Sequence, residues 1–163
     1  MLAVLGLGSN SGYGGLDSFA LLDKAVFRLE AVLSGLQRAS LYETEPLGVI
    51  DQPRFLNTAV AGWYNGSPRA LLKSIHIIET DFGRDRSRER PWGERSLDID
   101  ILLFGDMRVS EPPDLELPHP RLGERRFALE PLLELLPGAT EPGTGKLYRE
   151  ICGALPDQGS RRL

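Results

Sequence analysis

Residues 96–104 read Ser-Leu-Asp-Ile-Asp-Ile-Leu-Leu-Phe, and no other stretch constrains the chain as tightly. Side chains along a β-strand point to alternate faces. A strand here therefore puts Leu97, Ile99, Ile101 and Leu103 on one side and Asp98 and Asp100 on the other. The apolar side has to be covered by other elements. The two carboxylates then stand about 7 Å apart by Cα, given the rise per residue of a strand. Two like charges held together in a core-like strand repel unless a cation lies between them. An all-oxygen pair of this kind suits Mg²⁺, which takes few protein carboxylates and leaves coordination positions for phosphate oxygens. A lone D-x-D is often the watered side of an edge strand; the apolar alternation around this one weighs against that.

Other segments supply the cover. Residues 2–7 are a short apolar run stopped by Gly8-Ser9-Asn10, which reads as a buried strand. Over residues 16–34, Leu22, Val26, Leu29 and Leu33 recur at helical spacing and Gly35 follows as a stop. Residues 38–44 read as a strand, 47–54 as a loop holding Gly48 and Pro53, and 55–64 as a strand closed by Asn65-Gly66. Ser67 is an N-cap with Pro68 at the first helical position. Leu71, Ile75, Ile78 and Phe82 continue that helix to Gly83. Residues 115–117 add a short strand. A last helix runs over about 127–136, where Pro131 is tolerable in the first turn. Strand, helix, strand, strand, helix, strand is an α+β order, the ferredoxin-like βαββαβ core. Its sheet is mostly antiparallel with helices on one face, and a C-terminal helical extension is left to cover the other face or an edge. At 163 residues the length is that of one domain, residues 1–163.

The net charge of −4 argues against whole-surface binding of nucleic acid and offers no basic face to an anionic membrane. The basic residues are nevertheless unusual: 16 of 19 are Arg, five of them between residues 84 and 95 and three between 121 and 126. The single cysteine, Cys152, permits no intrachain disulfide. No run approaches the ~18 apolar residues needed to span a bilayer, and the first residues lack a signal peptide's basic region. The expectation is a cytoplasmic protein.

Arg84, Arg86, Arg88, Arg90 and Arg95 sit on a loop just before the aspartates. A guanidinium fork matches phosphate oxygens, and Mg²⁺ ligands beside such arginines are parts for phosphoryl-type transfer. Asp85, Glu89 and Glu94 are interleaved, so some of these arginines pair with neighbours on a solvated loop. Gly6-Leu7-Gly8 begins like a dinucleotide fingerprint, but Ser11 stands where its last Gly belongs and no P-loop Lys follows. Phe55 and Asn57 share a strand face, an aromatic plane beside a neutral amide that suits a flat, hydrogen-bonding heterocycle. His119 lies near Arg121 and Arg125, placed to donate to a phosphate or to serve a turn.

In order along the chain stand Gly8-Ser9-Asn10, Thr44-x-Pro46-Leu47-Gly48, Asp51-Gln52-Pro53-x-Phe55-x-Asn57 and Glu79-x-x-x-Gly83-Arg84. Trp92-Gly93-x-Arg95-x-Leu97-Asp98-Ile99-Asp100 and Leu117-Pro118-His119 complete the series. In these the chain resembles the 6-hydroxymethyl-7,8-dihydropterin pyrophosphokinases of the folate pathway, over residues 2 to about 136. The resemblance implies one-step transfer of the pyrophosphoryl group of ATP to the hydroxymethyl oxygen of the reduced pterin, with release of AMP. It implies two Mg²⁺ ions held by Asp98 and Asp100, and catalytic roles for those two residues with Arg84 and Arg95. It assigns ATP contacts to Glu79, Arg84, Trp92, Arg95, Ile101, His119 and Arg125. The pterin site falls to Thr44, Glu45, Leu47, Phe55, Asn57 and Phe127. The expected partners are ATP and a reduced pterin, acted on by a monomer, with no nucleic acid and no membrane. Pro91 stands where the family commonly has a basic residue before Trp-Gly, with Arg90 one step back, and this leaves the register of Arg86, Arg88 and Arg90 open.

Two other readings compete. A ferredoxin-like RNA-binding module needs exposed aromatics on its sheet, and its R-G-F-x-F type strand is missing here. Another Mg²⁺-dependent transferase with a different acceptor has the same metal and arginine parts.

Overall fold

The structure, a computed structural model, describes residues 1–45, 52–85 and 94–163. At its centre lies β1 (Leu2–Ser9), antiparallel to β4 (Phe55–Trp63) on one side and to β5 (Asp98–Phe104) on the other. The far edge of β4 is paired in turn by β2 (Ser34–Arg38) and β3 (Tyr42–Thr44). Taken as one interrupted strand, these two complete the expected βαββαβ core. β8 (Arg161–Arg162) pairs with β3 from outside. A separate hairpin joins β6 (Val109–Glu111) to β7 (Leu115–Leu117).

Helices cover both faces. α1 (Ser18–Glu30) is capped by Asp17, whose carboxylate accepts the Ala20 N–H at 2.8 Å. α2 (Pro68–Asp81) starts at the expected Ser67–Pro68 pair, with the Ser67 hydroxyl accepting from Ala70 N–H. Leu22, Ala25, Val26 and Leu29 of α1 and Leu71, Ile75 and Ile78 of α2 meet Leu5, Leu7, Val60, Leu97, Ile99 and Ile101 of the sheet region. On the opposite face α3 (Arg126–Leu135) and α4 (Tyr148–Ala154) close over Val4, Ala61, Leu102 and Leu103. The C-terminal extension therefore covers the second face. Each fully buried Leu or Ile contributes about 1.5–3 kcal/mol, so both layers carry substantial stability.

Three expectations are corrected. The helix expected over 16–34 ends at Glu30, and a strand begins at Ser34, with Gly35 inside it at φ +63°. Leu33 is still buried because its N–H reaches back to the Leu29 carbonyl at 2.8 Å, which turns the chain under the sheet. Leu103 does not share a face with Ile99 and Ile101. Leu5 pairs with Ile101 while Val4 pairs with Leu103, so Leu102 is an extra residue, and a bulge of this kind reverses the alternation beyond it. Pro131 lies in the second turn of α3, since the helix starts at Arg126. The helix accepts the missing N–H there, and Pro131 is buried with Ala128, Leu129 and Leu132.

Candidate active site

The α3/α4 layer stops short of one end of the sheet, where a cavity of about 340 Å³ opens. Its floor is laid by strand register. Asp98 pairs with Gly8, Gly8 with Asn57, and Asn57 with Tyr42, so one row crosses β5, β1, β4 and β3 on a single face. The next row pairs Asp100 with Gly6 and Gly6 with Ala59. Gly6 and Gly8 leave space where any side chain would stand between the aspartates and Asn57. A Cβ on Gly8 would lie 3.1 Å from Asn57 Oδ1, and one on Gly6 3.2 Å from a Leu102 methyl.

The walls complete two ends. Arg95, Asp98, Asp100, His119, Arg121 and Arg125 line the cavity at one end. Thr44, Glu45, Phe55, Asn57, Phe127 and Gln158 line it at the other. Asn57 Nδ2 donates to Thr44 Oγ1 at 2.9 Å, which ties the amide to the neighbouring strand. The Arg125 guanidinium lies over the Phe127 ring, 5.6 Å from its centroid.

Asp98 is ion-paired with both Arg84 and Arg95. Burial opposes its ionisation, but the two guanidinium groups outweigh that and hold its carboxyl below the usual carboxylate range. Asp100 has weaker company: His119 Nε2 is 3.6 Å away and Arg125 Nη1 3.8 Å. Burial and the neighbouring Asp98 charge push it up to about 7. Although 40% of its side chain is exposed, that exposure is to the cavity, and protein surrounds the rest. His119 is anchored by its own N–H to the Leu102 carbonyl at 3.0 Å, and its Nδ1 accepts the Arg121 N–H at 3.1 Å. Burial, then the Arg125 charge, lowers His119 to about 4, so it is neutral near pH 7.

Behind the cavity, Glu79 is 1% exposed; it accepts the Ile99 N–H at 2.8 Å and pairs with Arg84. The start of β5 is thus clamped between the two aspartates. Asn10, 2% exposed, accepts the Arg95 N–H at 2.8 Å and donates to Gln52 Oε1 and the Pro53 carbonyl, each at 3.3 Å.

The structure gathers Thr44, Glu45, Phe55, Asn57, Arg95, Asp98, Asp100, His119, Arg125 and Phe127 around one cavity. Arg84 stands behind it, ion-paired with Asp98, and Glu79 lies behind Arg84, paired with it in turn. Ile101 stands apart from this group: its side chain is 5% exposed and packs in the α1/α2 core, because alternation turns it away from the face that Asp100 occupies. Leu47 and Trp92 lie outside the described residues, as do Arg86, Arg88 and Arg90. Gly6 and Gly8 line the cavity although they match neither a dinucleotide fingerprint nor a P-loop. The usable signal was their i, i+2 spacing on a strand, which matches that of Asp98 and Asp100. Gln158 carried no local signal, since hydrogen bonds from a distant segment bring it in.

Both sheet faces are covered, which removes the open, aromatic-bearing sheet that an RNA-binding module would use. What remains is an α+β enzyme whose cavity joins an arginine- and carboxylate-lined end to an aromatic and amide end. That combination is suited to moving a phosphate-type group onto a flat heterocycle.

A family model described as 7,8-dihydro-6-hydroxymethylpterin-pyrophosphokinase (HPPK) matches residues 4–137. The chain belongs to this family, as its motifs implied. It is 40% identical over 163 residues to the 2-amino-4-hydroxy-6-hydroxymethyldihydropteridine pyrophosphokinase of Methylorubrum extorquens, covering 99% of this chain and 98% of that one. It is likewise 40% identical over 148 residues to the protein of that name from Pseudomonas aeruginosa, covering 91% and 84% of the two chains. Against the mitochondrial folate synthesis bifunctional protein of Arabidopsis thaliana it is 46% identical over 108 residues, 66% of this chain, and spans only 19% of that longer protein. Among solved structures, Plasmodium falciparum HPPK-DHPS with SDX-DHP superposes with a TM-score of 0.67 at 17% identity, over 93% of this chain and 43% of that one. At that identity the likeness bears on the fold alone.

Proposed function

We propose that this chain, over residues 1–163, transfers the pyrophosphoryl group of ATP to 6-hydroxymethyl-7,8-dihydropterin in folate biosynthesis. The pterin hydroxymethyl oxygen bonds to the β-phosphorus, the bond to the α-phosphate oxygen breaks, AMP leaves and the hydroxyl proton is released. Family membership supports the reaction. The observation that carries the assignment of residues is the row Asp98–Gly8–Asn57, which sets the carboxylate end and the amide end on one sheet face with nothing between them.

At the pterin end, Phe55 and Phe127 offer aromatic planes, with Asn57 and the chain from Thr44 to Leu47 along the heterocycle's edge. Arg84, Arg95 and Arg125 supply charge to the phosphates, with His119 as a neutral donor and Trp92 and Glu79 at the nucleotide side; Ile101 has only its backbone to offer. Two Mg²⁺ ions fit the donors present. Asp98 and Asp100 are all-oxygen ligands whose mutual repulsion a divalent cation relieves. Among the described residues no cluster of three or more His, Cys, Asp or Glu is arranged for a metal, so phosphate oxygens and water would complete the shell. Bound Mg²⁺ supplies positive charge to the phosphate oxygens. The chain's own residues position the two substrates and stabilise developing negative charge, and no side-chain nucleophile is needed.

We further propose that the chain acts as a monomer, in the cytoplasm, without nucleic acid or membrane. Among the described residues no helix is long and apolar enough to cross a membrane. The test is product identity. ATP, Mg²⁺ and the reduced pterin should yield AMP, and ADP or absence of turnover overturns the proposal. Asp98→Ala and Asp100→Ala should each abolish turnover while far-UV circular dichroism is unchanged; near-parental rates in either would move the metal site elsewhere.

A further inference from the structure

The N-terminus of α3 has an unusual cap. Its N-cap residue is Arg125, whose side chain makes no capping hydrogen bond, whereas helices normally place a Ser, Thr, Asp or Asn acceptor there. Arg125 is used otherwise. Its guanidinium points to the cavity, 3.8 Å from Asp100 and over the Phe127 ring, and its buried Nε has no hydrogen-bond partner. The first helical N–H, that of Arg126, still needs an acceptor. That acceptor is Gln158, 32 residues further along: its Oε1 takes the Arg126 N–H at 2.9 Å, and its Nε2 donates to the Glu124 carbonyl at 2.8 Å. The two bonds fall on the peptide units either side of Arg125.

We propose that Gln158 is a positioning residue, whose amide clamps the chain on both sides of Arg125 and so aims Arg125 and Phe127 into the cavity. The orientation of the amide is dictated by its partners, since a backbone N–H demands the oxygen and a carbonyl demands the nitrogen. Gln158 is itself held in place at both ends of its segment. Before it, the Leu155 carbonyl accepts from Arg126 Nη1 at 3.2 Å. After it, Ser160 Oγ donates to Glu130 at 2.5 Å, and Arg162 reaches Glu134 at 2.9 Å. β8 then pairs with β3, whose Thr44 lines the facing wall. One strap thus ties the arginine–aromatic wall to the amide wall. Arg125 takes an extended backbone, φ −119° and ψ 103°, between the 3-10 turn at Leu122–Glu124 and α3, so releasing the clamp frees this one joint and leaves the helix whole.

The enzymatic half of the test rests on the pyrophosphokinase reading. Gln158→Met keeps length and removes both bonds; Gln158→Glu keeps the acceptor for Arg126 and sets a carboxylate against the Glu124 carbonyl. For Gln158→Met the expected result is a rise of about tenfold in KM for the reduced pterin at saturating ATP and Mg²⁺, with a smaller change in kcat. The thermal midpoint should stay within a few degrees, and hydrogen exchange at the Arg126 amide should be at least about tenfold faster. Gln158→Glu should keep Arg126 protected while still raising KM. Kinetics of both variants within twofold of the parent, or unchanged exchange at Arg126 in Gln158→Met, overturns the inference. A parent chain that releases no AMP overturns the reading of the function, and exchange at the Arg126 amide then decides the clamp alone.

Discussion

Replacing Glu79 with methionine removes the charge that holds the carboxylate strand from behind. Glu79 is 1% exposed and the side chain of its partner Arg84 is 8% exposed. The substitution leaves a buried guanidinium with one counter-charge fewer and takes the acceptor from the Ile99 N–H. Removing one partner of a buried ion pair costs about 3–5 kcal/mol, and an orphaned strand N–H adds about 1–3 kcal/mol. Asp98 still faces Arg84 and offsets part of this. A net loss of about 3–5 kcal/mol follows, a fall of roughly 6–20 °C in Tm at about 2–4 °C per kcal/mol for a chain of this length. The double variant Glu79→Met with Arg84→Met leaves no uncompensated guanidinium. It should be more stable than Glu79→Met alone by at least about 1 kcal/mol, which is strong non-additivity. Urea unfolding followed by circular dichroism, with a common m-value, reads both numbers. A single variant within about 1 kcal/mol of the parent, or a double variant equal to the sum of its singles, refutes the reasoning.

Asn10→Ala should lose about 2 kcal/mol in the same unfolding assay, since it strips the Arg95 N–H and the Pro53 carbonyl of a buried partner. It should also lower kcat/KM, because Arg95 and the chain at Gln52–Pro53 are no longer tied together. Gly8→Ala should raise the KM for the pterin about tenfold, a change of about 1.4 kcal/mol, with Tm shifted by less than a few degrees. Its Cβ would crowd Asn57 Oδ1 at 3.1 Å, and an unchanged KM counts against the assignment of Asn57. Glu134→Gln tests an acid-labile brace. Burial opposes ionisation of Glu134, but the Ser40 N–H at 2.7 Å, the Tyr42 hydroxyl at 2.8 Å and Arg162 outweigh it and hold its carboxyl below the ordinary value. A carboxylate lowered by folding stabilises fully above its unfolded pKa of about 4.3 and loses that contribution as pH falls through the folded value. The Tm gap between parent and variant should therefore be widest above about pH 5 and shrink on acidification; a gap that widens toward pH 3 contradicts it.

The sheet and its first helical layer were legible because their signals are local and periodic. Ser67–Pro68 and the spacing of Leu71, Ile75 and Ile78 are set by cap chemistry and one buried face. The alternation at Asp98–Ile99–Asp100 places both carboxylates without reference to any neighbour. Leu33 misled because burial and helical spacing coincide with helix only while the chain keeps its direction, and here a turn delivers the same side chain to the same core. The misassignment of Leu103 is of another kind. A bulge is a property of two paired strands, visible only once Val4 and Leu5 are seen opposite β5. The site was half legible for the same reason. Acids, arginines, aromatics and amides announce their chemistry, while Gly6 and Gly8 matter for what they leave out, and Gln158 matters only after a distant segment has folded back.

The extra residue at Leu102 also governs how this strand can change over evolutionary time. Upstream of it, the polar side chains of β5 are read by the cavity; downstream, Leu103 is read by α3 and α4 and Phe104 by the opposite layer. Point substitutions in one half are insulated from the other, so the floor of the cavity can be retuned without repacking the second helical layer. A deletion of Leu102 itself would take out the extra residue and leave Leu103 and Phe104 on the faces they now occupy, whereas a single-residue deletion elsewhere in β5 would exchange the faces of everything on one side of it at once. The strand is permissive to exchange and intolerant of indels except at the bulge, so length variation in relatives of this chain should collect outside β5 or at Leu102.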